Sequence, residues 1–137
     1  MCIRDSYQSR LSGPLLDRID LQVHVASVGH DELAEASHGE PSAAIAERVA
    51  RARERQQRRQ GHANALLAVR DIEIHCEMDA DTRRIAQKAA AKLGWSARSF
   101  HRVLKVARTV ADLAGSDGLE AGHVAEAIQL RRSLQCG

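Results

Sequence analysis

Two arginines in this 137-residue chain sit where a guanidinium could meet a phosphate. Arg18 stands between Asp17 and Asp20 in "RLSGPLLDRIDLQVHV", at the junction of a short helical stretch and an alternating one. Arg98 is the second residue of a helix that Ser96 is placed to cap, in "GWSARSFHRVLKV". A cation in a first turn opposes the helix dipole by about a few tenths of a kcal/mol unless an anion is near. Free N–H groups beside a planar donor fork suit a phosphate. Spacing alone leaves simpler readings open: an ion pair with Asp17 or another acid for Arg18, and an exposed first-turn arginine for Arg98.

Other chemistry is poorly provided for. There is no G-x-x-x-x-G-K-[ST] loop to cradle phosphates and no strand ending in paired acids for Mg²⁺, so the chain alone is not expected to hydrolyse a nucleotide. His75 and Cys76 are adjacent, and His101 and His123 lack a ligand at i+4 or a C-x-x-C array, so no metal site is expected. No nucleophile has a base at readable spacing. Six of the 17 arginines fall between residues 48 and 59, with Glu47 and Glu54 three or four residues from potential partners. A solvated helix face accounts for that run better than a nucleic-acid patch does.

The elements that would position these residues are mainly helical. With 44% hydrophobic residues and only Tyr7, Trp95 and Phe100 as aromatics, a core must be built from Ala, Leu, Val and Ile, which favours closely packed helices. Residues 19–25 alternate strictly, Ile19, Leu21, Val23 and Val25 against Asp20, Gln22 and His24, the period of a half-buried strand. One strand cannot satisfy its own backbone, so it is expected to pair with a sheet that this sequence does not contain. Residues 29–41 read as a linker, and Pro41 is placed to start a helix over about 42–60 with Ile45, Val49 and Ala52 on one narrow inward face.

Around 69–74 the periodicity breaks, and a short strand-like piece and an irregular connection both remain open. A helix from Asp81 would turn Ile85, Ala86, Ala89 and Leu93 inward and stop at Gly94. Trp95 and Phe100 have the spacing of a hydrophobic staple about the Ser96 cap. Beyond it Val103, Leu104, Ala107, Ala111 and Ala114 give the clearest amphipathic helix, and a last helix over about 121–132 presents Val124, Ala127, Ile128 and Leu130. No run of 18 apolar residues and no signal-peptide core is present, and the three cysteines are too few and too far apart for a disulfide framework. The expected location is cytoplasmic.

"YQSRLSGPLLDRIDLQVHV" together with "GWSARSFHRVLKVARTVADLAGSDGLEAGHVAEAIQLRR" resembles the C-terminal part of the magnesium-chelatase-like AAA+ ATPases, of the competence-related ComM/YifB type. The resemblance covers residues 7–132 and takes in "RVARARERQQRR" and "NALL". It implies that residues 1–28 are the end of an AAA+ α/β core, with its last strand, that 29–41 are a linker, and that 42–137 are a helical lid of about four helices. It further implies that Arg18, in "LLDRI", is an arginine finger reaching into a neighbouring subunit's nucleotide site, and that Arg98, in "SAR", is the sensor-2 residue reading the ATP γ-phosphate. Asp17 and Asp20 would then hold the Arg18 side chain in place.

The protein so implied is a ring, expected to be hexameric, that uses ATP and Mg²⁺ to remodel or translocate on DNA during recombination of incoming strands. This chain would be its catalytically silent C-terminal fragment, binding no cofactor alone. The opening "MCIRDS", residues 1–6, fits nothing the family carries before Tyr7 and is expected to be non-native. Two other readings stand beside this one: the lid of a magnesium chelatase ATPase subunit, and a self-standing helical adaptor binding nucleic acid or protein through residues 48–59.

Overall fold

The computed structural model describes residues 12–30 and 39–132. The expectation for residues 1–6 and most of the linker therefore lie outside the described residues. Six α-helices are formed among those described: α1 (Gly13–Arg18), α2 (Ser42–Gln60), α3 (Val69–His75), α4 (Ala80–Lys92), α5 (Ala97–Leu113) and α6 (Ala121–Arg132), with a 3₁₀ turn at Asn64–Leu66. No described helix is long and apolar enough to cross a membrane.

The packing centre is α5. It lies against α6, α2, α3 and the 3₁₀ turn, while α4 covers another side of α6. Val103, Leu104, Ala107 and Ala111 from α5 meet Val124, Ala127 and Ile128 from α6, with Ala86, Ile72, Leu67, Cys76 and Leu119 completing the core. Ala107 and Ala111 are fully buried, so small side chains let the helices approach closely where aromatics are scarce. Ala114, expected inward, is the exposed C-cap residue of α5.

The helix boundaries follow from local chemistry. The Asp79 carboxylate accepts from Thr82 N–H at 2.7 Å and caps α4. Those bonds hold its carboxyl below the usual carboxylate range. Gly94 follows α4 at φ +62°, a conformation that favours glycine, and Ser96 Oγ then accepts from Ser99 N–H at 3.2 Å to start α5. Trp95 and Phe100 both pack on the core from either side of that cap.

Several expected faces are turned. The expected strand at 19–25 is not formed; among the described residues the only β pairing is an isolated bridge between Met78 and Leu119. Residues 19–29 run without regular structure, and Gln22 N–H donates to the Leu130 carbonyl at 2.7 Å. Val23 and Val25 are 70% and 82% exposed, since an alternating pattern has nothing to alternate against without neighbouring strands.

In α2 the buried residues are Ala52 and Gln56, while Ile45 and Val49 are exposed, so its C-terminal half is the end that packs. In α4 Ala86, Ala89 and Leu93 face inward as expected, while Thr82 is buried and Ile85 is exposed. Residues 69–75 resolve as helix α3: the Asp71 carboxylate accepts from Ala68 N–H, and Ile72 alone in the segment is buried.

The arginine run on α2 is largely neutralised. Arg48 pairs with Glu40, Arg51 with Glu47, Arg58 with Glu54, and Arg55 with Asp117. Arg59 leaves that exposed face and forms a bidentate pair with Asp112 of α5, at 2.6 and 3.0 Å. Asp112 is buried, and it also accepts from Asn64 Nδ2 at 2.8 Å and lies 3.2 Å from the Arg108 guanidinium. Arg108, only 2% exposed, donates to the carbonyls of Ser116 and Asp117 and so ties the α5–α6 connection to the core.

Cys76 is a buried free thiol whose Sγ faces the Leu104 carbonyl. Burial pushes it up to about 11, which keeps it protonated and unreactive near neutral pH.

Candidate functional site

Arg18 closes α1, a six-residue helix that Ser12 caps and that Pro14 starts with its fixed φ. The helix buries nothing of its own. What holds it is the lid. Asp17 Oδ1 accepts from Ser99 Oγ at 2.8 Å and from Arg131 Nη2 at 3.0 Å, and Arg131 also reaches Ser99 Oγ at 3.1 Å. Arg131 Nη1 donates to the Ile19 carbonyl at 3.1 Å. From the other side Arg102 donates to the Asp17 carbonyl at 3.1 Å, to the Arg18 carbonyl and to the Asp20 carboxylate.

Two guanidinium groups thus clamp the backbone from Asp17 to Asp20. Ser99 and Arg131 are 2% and 7% exposed, so the Arg131 side of the clamp is shielded from water, where charge-assisted bonds are stronger. Hydrogen bonding to Asp20, offset in part by burial and helped by the charges of Asp20 and Asp17, raises the Arg102 pKa further.

The acids beside Arg18 therefore do not hold its side chain, as the sequence suggested; they are held by Arg131 and Arg102. They fix the main chain on both sides of Arg18 and leave its exposed guanidinium without a hydrogen bond or ion pair among the described residues. The same is true of Arg98, exposed in the first turn of α5. The residue before Arg18 and the residue after Arg98 are the two joined by the Ser99–Asp17 bond. Sequence reasoning found both arginines and missed Ser99, Arg102 and Arg131. Their partners lie 82 to 114 positions away, and no local spacing encodes that.

Beside this junction lies a cleft of about 730 Å³, lined on the α5 side by Arg98, His101, Arg102 and Lys105 and, further along the helix, by Val106 and Val110. The four nitrogenous side chains recur at i, i+3, i+4 and i+7, one stripe of the helix. Arg102 is taken up by Asp20, and Lys105 donates to the Ala65 carbonyl at 3.1 Å. Such a wall can meet anionic oxygens at one end and an apolar group at the other. Among the described residues no group of three or more His, Cys, Asp or Glu could hold a metal ion.

Residues 39–131 match the family model described as magnesium chelatase, subunit ChlI C-terminal. The chain belongs to the magnesium chelatase family. A second model, magnesium chelatase subunit ChlI, matches residues 2–33 and so takes in most of the opening segment that was set apart above. Within this family the chain is similar to the competence protein ComM of Haemophilus influenzae, 42% identical over 130 residues, covering 94% of this chain and 26% of that protein. The proteins YifB of Salmonella typhimurium and of Escherichia coli are 42% and 39% identical over 126 residues, each covering 91% of this chain. This magnesium chelatase family chain spans about a quarter of the length of those relatives.

Proposed function

We propose that this chain supplies the arginine finger and the sensor-2 lid of a ring-forming, cytoplasmic AAA+ ATPase that remodels or translocates on DNA. The observation that carries the reading is the pair of exposed guanidinium groups, Arg18 and Arg98. Neither is neutralised among the described residues, although every acid beside Arg18 is. An arginine kept free of internal partners on a clamped main chain is available to an external phosphate. Arg98 reads the γ-phosphate of ATP, and Arg18 reaches the nucleotide of the next subunit in a homo-oligomeric ring, taken as a hexamer.

ATP and Mg²⁺ would be held largely by residues outside this chain, and Mg²⁺ would neutralise charge on the phosphates. Among the described residues no cluster of three or more His, Cys, Asp or Glu could hold the ion.

The role on DNA is supported by the similarity to a competence protein. In the purified full-length protein, single- or double-stranded DNA should raise ATP turnover. Stimulation by a porphyrin with Mg²⁺ and not by DNA would instead favour a chelatase subunit, the reading that the family model's description supports. The adaptor reading is weakened, because Glu40, Glu47, Glu54, Asp117 and Asp112 already take up most of the arginines on α2.

For Arg98→Ala the expected result is a loss of discrimination between ATP and ADP, with ATP affinity falling about tenfold or more and ADP affinity little changed. Titration with fluorescent ATP and ADP analogues checks this. An unchanged ratio of the two affinities would remove Arg98 from the γ-phosphate.

A further inference from the structure

We propose that Arg102 of α5 and Arg131 of α6 are positioning residues for Arg18: together they cap the C-terminal end of α1 and fix the main chain from which the Arg18 guanidinium extends. The inference rests on the finger reading above and adds the groups that place the finger. A six-residue helix is too short to be stable by itself, and its last carbonyls have no partner within the helix. No residue of α1 is buried, so little apolar packing holds it.

Those carbonyls are where the two guanidinium groups act. Arg102 donates to the Asp17 carbonyl at 3.1 Å and to the Arg18 carbonyl, and Arg131 donates to the Ile19 carbonyl at 3.1 Å. Cations at a helix C-terminus also meet the negative end of its dipole. Each guanidinium is in turn anchored by a carboxylate of the same segment, Arg102 by Asp20 and Arg131 by Asp17 at 3.0 Å. Arg102 lines the cleft beside Arg98, yet all three of its nitrogens are engaged by residues 17–20. That engagement makes it a placing group and not a further contact for a ligand. The planar fork lets one side chain hold two consecutive carbonyls and a carboxylate at once.

A displacement of about 1 Å at a group that stabilises developing charge is enough to lower a rate about a hundredfold. Loss of the cap should therefore act on turnover, and only through Arg18. In the full-length protein, Arg102→Gln is expected to lower kcat for ATP hydrolysis by about ten- to a hundredfold and to leave KM and the ATP-to-ADP affinity ratio unchanged. Arg131→Gln should do the same. Asp20→Ala, at a half-exposed residue, removes the anchor of Arg102 without touching the core and should lower kcat in the same direction. In an Arg18→Ala background none of these changes should slow the residual turnover further, because the group they place is gone.

Release of labelled phosphate, sensitive enough for the residual rates, measures both backgrounds. A loss in the Arg18→Ala background as large as in the natural one marks a general effect on the fold and overturns the proposal. Unchanged kcat in Arg102→Gln and Asp20→Ala, while Arg18→Ala is inactive, overturns it too and leaves the finger intact. Full turnover in Arg18→Ala instead overturns the finger reading, and the positioning role with it.

Discussion

Arg18→Ala in the full-length protein should abolish ATP hydrolysis and leave ATP binding nearly unchanged. A guanidinium inserted at a transferring phosphoryl group neutralises charge that develops only in the transition state. Its removal therefore costs rate and not affinity, by about 10³–10⁵, or about 4–7 kcal/mol. The main chain on both sides of Arg18 is held by Arg102 and Arg131, so only the side chain has to be ordered at the moment of reaction. Lysine should substitute poorly, because a point charge does not reproduce the planar fork. Steady-state turnover and equilibrium binding of a nucleotide analogue, measured on the same preparation, check the claim. A variant that hydrolyses ATP within tenfold of the natural protein would exclude a finger at this position.

Asp112→Ala should be the most damaging single change to the fold. Asp112 is buried and faces two guanidinium groups, Arg59 in bidentate contact and Arg108 3.2 Å away. Removing the carboxylate leaves Arg108 charged and shielded from water. The expected cost is about 3–5 kcal/mol, a large share of the ~5–15 kcal/mol that holds a domain together. Arg59→Met should cost less, because Arg59 is partly exposed and Asp112 keeps its contact with Arg108.

The same cluster sets an acid limit. Burial alone would push the Asp112 carboxyl up, but hydrogen bonds from Arg59 and Asn64 and the charges of Arg108 and Arg59 outweigh it and hold it below the usual carboxylate range. A depressed carboxyl stabilises the folded chain above its unfolded value, near pH 3.9, and that contribution is lost as pH falls through the folded value. Urea titrations between pH 7 and pH 2.5 should show stability falling below about pH 4. The fall should be shallower in Asp112→Asn, and an equally steep fall in that variant would place the acid sensitivity elsewhere.

What the sequence conveyed well was local. The Ser96 cap, the stop at Gly94 and the apolar face of α5 each depend on residues within about one turn of one another, and each is found where spacing places it. The faces of α2 and α4 were harder. Periodicity says that a helix has an apolar side but not what covers it, so Ala52 and Ala86 are buried as expected while Ile45, Val49 and Ile85 are exposed and Gln56 and Thr82 take the remaining inward places. Helix α3 was ambiguous because seven residues with two isoleucines fit either period.

At the candidate site Arg18 and Arg98 stood out from sequence. The clamp did not, since Asp17 and Asp20 find their arginines on α5 and α6, and nearby Arg18 was the more obvious partner. Arg59 was hidden in the same way, as one of six similar residues of which it alone reaches the interior carboxylate Asp112.

The scarcity of aromatic residues has an optical consequence. Trp95 is the sole tryptophan, partly buried against the core at the start of α5 and three positions before Arg98. Its indole emission is therefore a built-in gauge of that corner, readable without any attached dye. A change in its wavelength or intensity reports a change in the packing at the head of this helix.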